Sequence, residues 1–440
     1  MRISVLHRAL NMNAPEIEKS RQLTHNGRGQ GSAGGFFALL LSQFVARRCH
    51  VMLDQIDAGI HHGSIEGSLP NGSQRMLGGR GAGPSAEMNI HSWRALVRIA
   101  WAGSVGLYEG WAAGEWDSSD PVKIFDLFVR NRRFLGNSAR ASGVAKFGGR
   151  MLHYVRRNSK SGARKNISFH YDLGNDFYAA WLDDGMTYSS AMFTEPVTDL
   201  QTLESAQAGK NAALLERLKL NDGDSILEIG CGWGGFADAA LRHRDVDYHG
   251  LTLSHEQKTY ADARIAAAGF ASQAEIAITD YRDASKEYDA IVSAEMVEAV
   301  GQAYWPDYLD AIRARLKPGG RAAIQYIRIE DDIFEPYAAS VDFIQRYIFP
   351  GGMLISESRF RTLAEERGLV WQDQQDFGLH YAETLRRWRI RFDTAAQQGK
   401  LPASFDEKFI RLWRFYLMYC EGGFRGGGIN VAQVTLVNGS

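Results

Sequence analysis

From about Lys210 onward, apolar residues gather in short runs separated by longer stretches with helical spacing. The strand-like runs are Ser225–Ile229, Tyr248–Leu253, Glu275–Ile278, Ala290–Ala294, Ala322–Ile327, Leu369–Asp376 and Val431–Val437. Helical patterns fill the gaps, as at His255–Ala268 and Ala303–Leu316, and the turn Lys317-Pro318-Gly319-Gly320 leads into the fifth strand. Strands alternating with helices predict a mostly parallel sheet covered on both faces. The expected fold is therefore α/β, a doubly wound, seven-stranded, Rossmann-like sheet whose ligand lies beyond the carboxyl ends of its strands. Arg328–Gly368 is too long for a simple connection between the fifth and sixth strands. It is expected to form a helical lid, with Tyr347–Gly352 roofing a pocket.

The first third reads differently. A polar start precedes an apolar stretch at Phe36–Ala46, a Gly/Ser-rich patch at Gly63–Pro84 and an aromatic-rich passage at Trp101–Trp116. The apolar stretch is about half the roughly 20 residues a bilayer span needs, so an amphipathic helix is expected there. It also begins late for a signal peptide and lacks an A-x-A-like site after it. The patch reads as short strands and turns. Together these features predict a smaller N-terminal α+β module, residues 1–165, with many exposed or ligand-facing aromatics. The doubly wound domain is expected at 166–440.

Charge sharpens that division. Residues 1–168 carry 23 Lys+Arg and 11 Asp+Glu, whereas 169–440 carry 27 and 40. The basic excess peaks at Leu127–Tyr171, which holds 11 basic residues, no acid, and apolar side chains between the charges. Such a stretch suits an anionic membrane surface, or is simply a solvated basic linker. No nucleic-acid motif accompanies it, so nucleic acid is not an expected partner. Three widely spaced cysteines, Cys49, Cys231 and Cys420, exclude a disulfide framework and a cysteine zinc site, and suit a reducing cytoplasm.

The chemistry starts at Ile226-Leu227-Glu228-Ile229-Gly230-Cys231-Gly232-Trp233-Gly234-Gly235-Phe236. A strand, a glycine-rich turn and a helix N-terminus in that order form a nucleotide site. The glycines let a ligand lie against bare backbone. The spacing is not G-x-G-x-x-G, and the acid lies inside the strand, which favours S-adenosylmethionine over a dinucleotide. Glu228, Gly230, Gly232 and Gly234 are the expected cofactor cradle, and Cys231 reads as a small packing residue.

Further segments resemble the cyclopropane-fatty-acyl-phospholipid synthase family and its mycolic-acid methyltransferase relatives, among the class I S-adenosylmethionine-dependent methyltransferases. They are Phe169–Tyr178, Tyr188–Ala191, Leu203–Gln207, Gly250–Ser254 with Gln257, Tyr347–Gly352, and Phe377-Gly378 with Tyr381. The resemblance is dense over residues 166–436 and looser before them. It implies methyl transfer to the double bond of an unsaturated acyl chain of a phospholipid, by an enzyme peripherally bound to the inner face of the cytoplasmic membrane. A homodimer is compatible with it. It also implies a bound bicarbonate as the base, held by a short polar constellation.

Mapped onto this chain, the resemblance implies that Thr252 and Gln257 lie near the cofactor ribose and that Asp280 and Tyr281 lie near adenine. Tyr188 and Ser189 would reach the methionine end. Around the reacting carbons it retains Glu298, Ile327 and Tyr381. At three positions the chain departs from the family: Ser190 stands for a cysteine, while Ala299 and Gln325 each stand for a histidine. Ser190 and Gln325 can hydrogen-bond a small anion, but neither carries a proton-transfer function near neutral pH. Glu298 is thus the expected anionic centre, and a methyl-branched or methylene product becomes an alternative to a ring. Two further readings are a small-molecule N-methyltransferase, disfavoured by the basic module, and a non-catalytic lipid-binding homologue, disfavoured by the intact cradle. His170 is expected to order the entry segment.

Overall fold

The computed structural model describes residues 33–136 and 173–439, with side chains described from residue 44. The polar start, residues 137–171 of the basic stretch, the segment around His170 and the boundary at 165 lie outside the described residues. The chain divides into two units after His50. A helix, α1 (Ala33–Gly59), runs through the expected amphipathic stretch.

The Gly/Ser-rich patch folds as expected. It forms β1 (Ser64–Ser68), β2 (Gln74–Gly78) and β3 (Ser85–Glu87), a small sheet in the order β2-β1-β3. A two-stranded ribbon follows, β4 (Asn89–Ile90) with β5 (Trp116–Asp117), enclosing α2 (Trp93–Ala102) and α3 (Ser104–Ala112). Then comes α4 (Pro121–Arg130), started by a proline whose fixed φ suits a first turn.

The aromatics here are not ligand-facing, which corrects the sequence reading. Trp116 is buried and its indole donates to the Leu107 carbonyl at 2.9 Å. Tyr108 packs against Phe343, Tyr347 and Phe415, and Trp111 lies against Phe415. Only Trp101 of the four is exposed. These rings join the module to the rest of the unit, helped by the bond from Tyr347 to Glu109 at 3.0 Å.

The main sheet contains β6 (Ser225–Ile229), β7 (Asp247–Thr252), β8 (Ala274–Ile278), β9 (Tyr288–Ala294), β10 (Leu316–Ile329), β12 (Leu369–Asp376) and β13 (Ile429–Asn438). Their order is β12-β13-β10-β9-β6-β7-β8, with the two-residue β11 (Ile355–Ser356) beside β10. β13 is antiparallel to both neighbours and the pairs from β10 to β8 are parallel. The Lys317–Gly320 turn survives as a register shift near the start of β10.

Alternation sorts each strand's side chains onto opposite faces. Leu227, Ile229, Ile291 and Ile324 pack with Trp305, Leu309 and Phe360 on one face. Ile226, Ala290, Val292 and Ala323 pack with Leu214, Ala240 and Ile265 on the other. Removing a side chain such as Leu227, fully buried, costs about 2–5 kcal/mol. Helices cover both faces because both are apolar. Chain order reverses between β6 and β9, so a crevice opens there. The long insertion folds as α5 (Asp331–Ala338), α6 (Phe343–Tyr347) and α7 (Glu357–Glu366) around β11, and its first half overhangs that crevice.

Candidate active site

A cavity of about 1060 Å³ opens at the switch point. It is lined by the ends of β6, β7 and β9, by the overhanging insertion, and by aliphatic side chains of the N-terminal module such as Leu53, Ile65, Leu77 and Leu96. Of the fifteen expected site residues, all but Ser190, Gly234 and Gln325 line it.

The glycine turn divides its labour. Gly230, Gly232 and Gly234 all have positive φ, at 85°, 52° and 79°. A Cβ on Gly230 would meet Met296 Cγ at 2.7 Å, and one on Gly234 would meet Ala261 Cβ at 3.0 Å. One on Gly232 would meet nothing within 4 Å, so Gly232 is the residue whose bareness leaves room for a ligand. Gly234 instead caps the helix Gly235–His243 and lets the helix His255–Ala267 approach. It does not itself line the cavity.

The neighbouring polar groups sit at successive strand ends. Thr252 Oγ1 donates to Gln257 Oε1 at 2.7 Å, and Ser254 caps the helix that carries Gln257. Asp280 takes two bonds from the Arg282 guanidinium, at 2.8 and 2.6 Å, and caps the turn holding Tyr281. Glu228 is wholly buried and accepts from the Tyr248 hydroxyl. Burial pushes its carboxyl up to about 8, against the pull of nearby Lys210. An open glycine face, a neutral hydroxyl–amide pair and a carboxylate at three consecutive strand ends fit the amino acid, ribose and adenine of S-adenosylmethionine. Tyr188 Oη lies 2.8 Å from Tyr416 Oη, its ring packs on Trp181 and Trp388, and the Ser189 carbonyl accepts from Gln207.

Past β9 the sequence reading missed a residue. Glu295 is half-buried at the cavity wall, and its Oε1 accepts from Ser190 N–H and Gln325 Nε2, both at 2.8 Å. Its Oε2 accepts from the Tyr381 hydroxyl at 2.7 Å. The groups expected to hold a small anion therefore converge on a side chain. The Ser190 hydroxyl turns away to the Ala191 carbonyl at 3.0 Å, so Ser190 contributes through its backbone. Gln325 is completely buried and is oriented from behind by Gln433, at 3.0 Å. Neither residue lines the cavity, and both are completely buried.

Glu298 is not the lone anionic centre. It sits on the short turn Val297–Ala299, and Oε1 accepts from Ile327 N–H. Its other oxygen is buried with no hydrogen-bond partner among the described residues, on a side chain that lines the cavity. Burial, then the neighbouring Glu295, pushes its carboxyl up to about 8. Burial also raises Glu295, but three hydrogen bonds and Lys210 oppose that rise. Ala299, next to Glu298 in the chain, also lines the cavity. The signal for Glu295 was in the chain, two acids three residues apart just past a central strand.

The family model described as mycolic acid cyclopropane synthetase matches residues 158–434. Tuberculostearic acid methyltransferase UfaA1 of Mycobacterium tuberculosis is 39% identical over 365 residues, covering 79% of this chain and 82% of that protein. The cyclopropane-fatty-acyl-phospholipid synthase of Escherichia coli K12 is 32% identical, covering 80% and 88%. Among solved structures, cyclopropane synthase MmaA2 from Mycobacterium tuberculosis superposes with a TM-score of 0.58 at 28% identity, covering 62% of this chain and 98% of that one. Mycolic acid cyclopropane synthase CmaA1, complexed with SAH and CTAB, gives 0.58 at 30% identity over the same shares.

Proposed function

We propose, from the premise that the chain belongs to the mycolic acid cyclopropane synthetase family, that it methylates the double bond of unsaturated acyl chains carried by membrane phospholipids. The chain is an S-adenosylmethionine-dependent methyltransferase. The substrate reading rests chiefly on the cavity. It runs from the glycine turn into an aliphatic region built by the N-terminal module, and a soluble amine would need no such extension.

Bound S-adenosylmethionine supplies an electrophilic methyl group. Gly232, Thr252, Gln257, Asp280 and Tyr188 would hold it. An alkene is a poor nucleophile, so the chain's own contribution is to fix it in a dry space. The apolar walls exclude water, and the rings of Tyr381, Tyr416 and Phe424 line the polar end. Positive charge developing on the acyl chain meets aromatic faces and the free oxygen of Glu298.

Peripheral binding to the inner face of the cytoplasmic membrane belongs to the same proposal, with residues 1–165 facing lipid and 166–440 carrying the reaction. No helix among the described residues is long and apolar enough to cross a membrane. Of the basic stretch, Arg130 pairs with Asp126 and Arg132 and Arg133 with Asp332, so these three also serve the fold. A second reading, a methylene or methyl-branched product, is favoured by Ser190, Ala299 and Gln325 standing where the family resemblance implies Cys and His.

Expression in a host lacking such activity, followed by mass spectrometry of its fatty acids, tests this. A ring or a methylene group adds one CH2 to an unsaturated chain, and only the methylene product then takes up hydrogen under mild hydrogenation. Unsaturated chains that gain no mass would overturn the proposal.

A further inference from the structure

We propose that Glu295 is the resident base of the reaction, its carboxylate taking the proton that the methylated acyl chain must lose, so that no dissolved anion is needed for that step. This rests on the acyl methyl transfer proposed above. In the step, a C–H bond on the added methyl or an adjacent carbon breaks. Its electron pair closes a ring or forms a double bond at the positive carbon, and the proton goes to a Glu295 oxygen.

The geometry argues for this in four ways. Glu295 follows β9 directly, beside the switch point, and lines the cavity between the glycine turn and the aliphatic region. Its carboxylate is fixed by three neutral donors from three separate parts of the chain, Ser190, Gln325 and Tyr381. Neutral donors orient a carboxylate without cancelling its charge. A carboxylate offers about four lone-pair sites, so one remains open for a proton. The backbone is also constrained: Glu295 has φ 52°, a conformation non-glycine residues avoid, and its N–H is held by the Gln325 carbonyl at 2.8 Å.

The neighbours divide the roles. Glu298 stands three residues on, raised by burial and by the Glu295 charge. Two close carboxyls pushed apart in this way ionise in turn, Glu295 first and Glu298 at about 8. Lys210, buried nearby, favours the ionised form of Glu295, while Tyr381 donates to it and keeps its own proton.

The test compares wild type with Glu295→Gln and Glu295→Gly, using acyl product formation, calorimetric binding of S-adenosylmethionine, and binding of carbon-13 formate followed by NMR. Wild type should bind no formate, and purging carbon dioxide should not slow it. Glu295→Gln should keep its affinity for S-adenosylmethionine while kcat falls by about 100-fold or more. Glu295→Gly should bind formate in the vacated pocket and regain about tenfold in rate with it. A Gln variant close to wild-type kcat, or a wild type that needs bicarbonate, overturns the role of Glu295. So does a Gly variant that binds no formate while wild type makes product. Formate binding by the Gly variant, with no acyl product from wild type, overturns instead the functional reading on which this role rests.

Discussion

The two ends of the cavity are specified in different ways. At the switch point each position carries one atom or one absence. Gly232 has an open side, Glu298 has an oxygen without a partner, and three donors meet on Glu295. At the other end the lining is Leu53, Ile65, Leu77, Met88 and Leu96, with little to distinguish one wall from another. The reason is chemical. Charge that appears and disappears within a few ångströms must be met by fixed polar atoms, whereas an acyl tail offers only shape and area, and each methylene is worth about 1–3 kcal/mol of discrimination. Substitutions at the first end should act all or none, and those at the second end should grade.

The largest effect is expected at Gly232. A valine there places a branched side chain, at φ 52°, in space that is otherwise empty. Calorimetry should find no binding of S-adenosylmethionine to Gly232→Val, with the circular dichroism spectrum kept. Unchanged affinity would remove Gly232 from the cradle and break the contrast at its polar end.

Glu298→Gln comes next and separates function from stability. Burial holds the folded carboxyl at about 8, while an unfolded glutamate titrates near 4.3. A raised folded pKa means that this group's stabilisation is complete below about 4.3 and is lost as pH rises through about 8. Glutamine does not ionise, so the variant should gain on wild type as pH increases, by about 2 °C or more in Tm at pH 8. Its kcat should nevertheless fall by about 100-fold, and the rise of wild-type kcat/KM with pH through about 8 should vanish. A variant destabilised equally at every pH would make Glu298 a structural group.

The sheet was legible because parallel strands buried on both faces write themselves as apolar runs, as at Ser225–Ile229 and Ala290–Ala294. The glycine turn was legible because glycine at φ > 0 leaves a mark in sequence. Glu295 was not read, although Glu298 was. What distinguishes it is the meeting of β10, the Tyr188–Ala191 segment and the helix Gly378–Gln397 around one carboxylate, and no spacing along the chain encodes that. Ser190 and Gln325 were read singly, as lost catalytic groups. They belong together as two of the three donors to an added carboxylate. The aromatics of Trp101–Trp116 misled for a related reason: a ring in sequence does not say whether it meets ligand or another ring, and here Tyr108 met Phe415.

The smallest effect is expected at the aliphatic end, and it tests whether shape alone governs there. Leu77 lies on β2, is 6% exposed and lines the cavity. Leu77→Trp adds bulk without adding charge or moving any group near Glu295 or Gly232. The methyl-transfer machinery should be untouched, so kcat with short unsaturated chains should stay within about twofold of wild type. Long chains would have to displace the indole or bind bent, and their KM should rise by about tenfold, the size of one or two methylenes of lost contact. Competition between phospholipids of different acyl length, read by mass spectrometry of the products, measures this shift directly. A loss of kcat for all lengths would mean that the two ends are mechanically coupled. An unchanged length profile would mean that the tail does not lie along this wall, and the cavity's aliphatic reach would then have to be explained without an acyl chain.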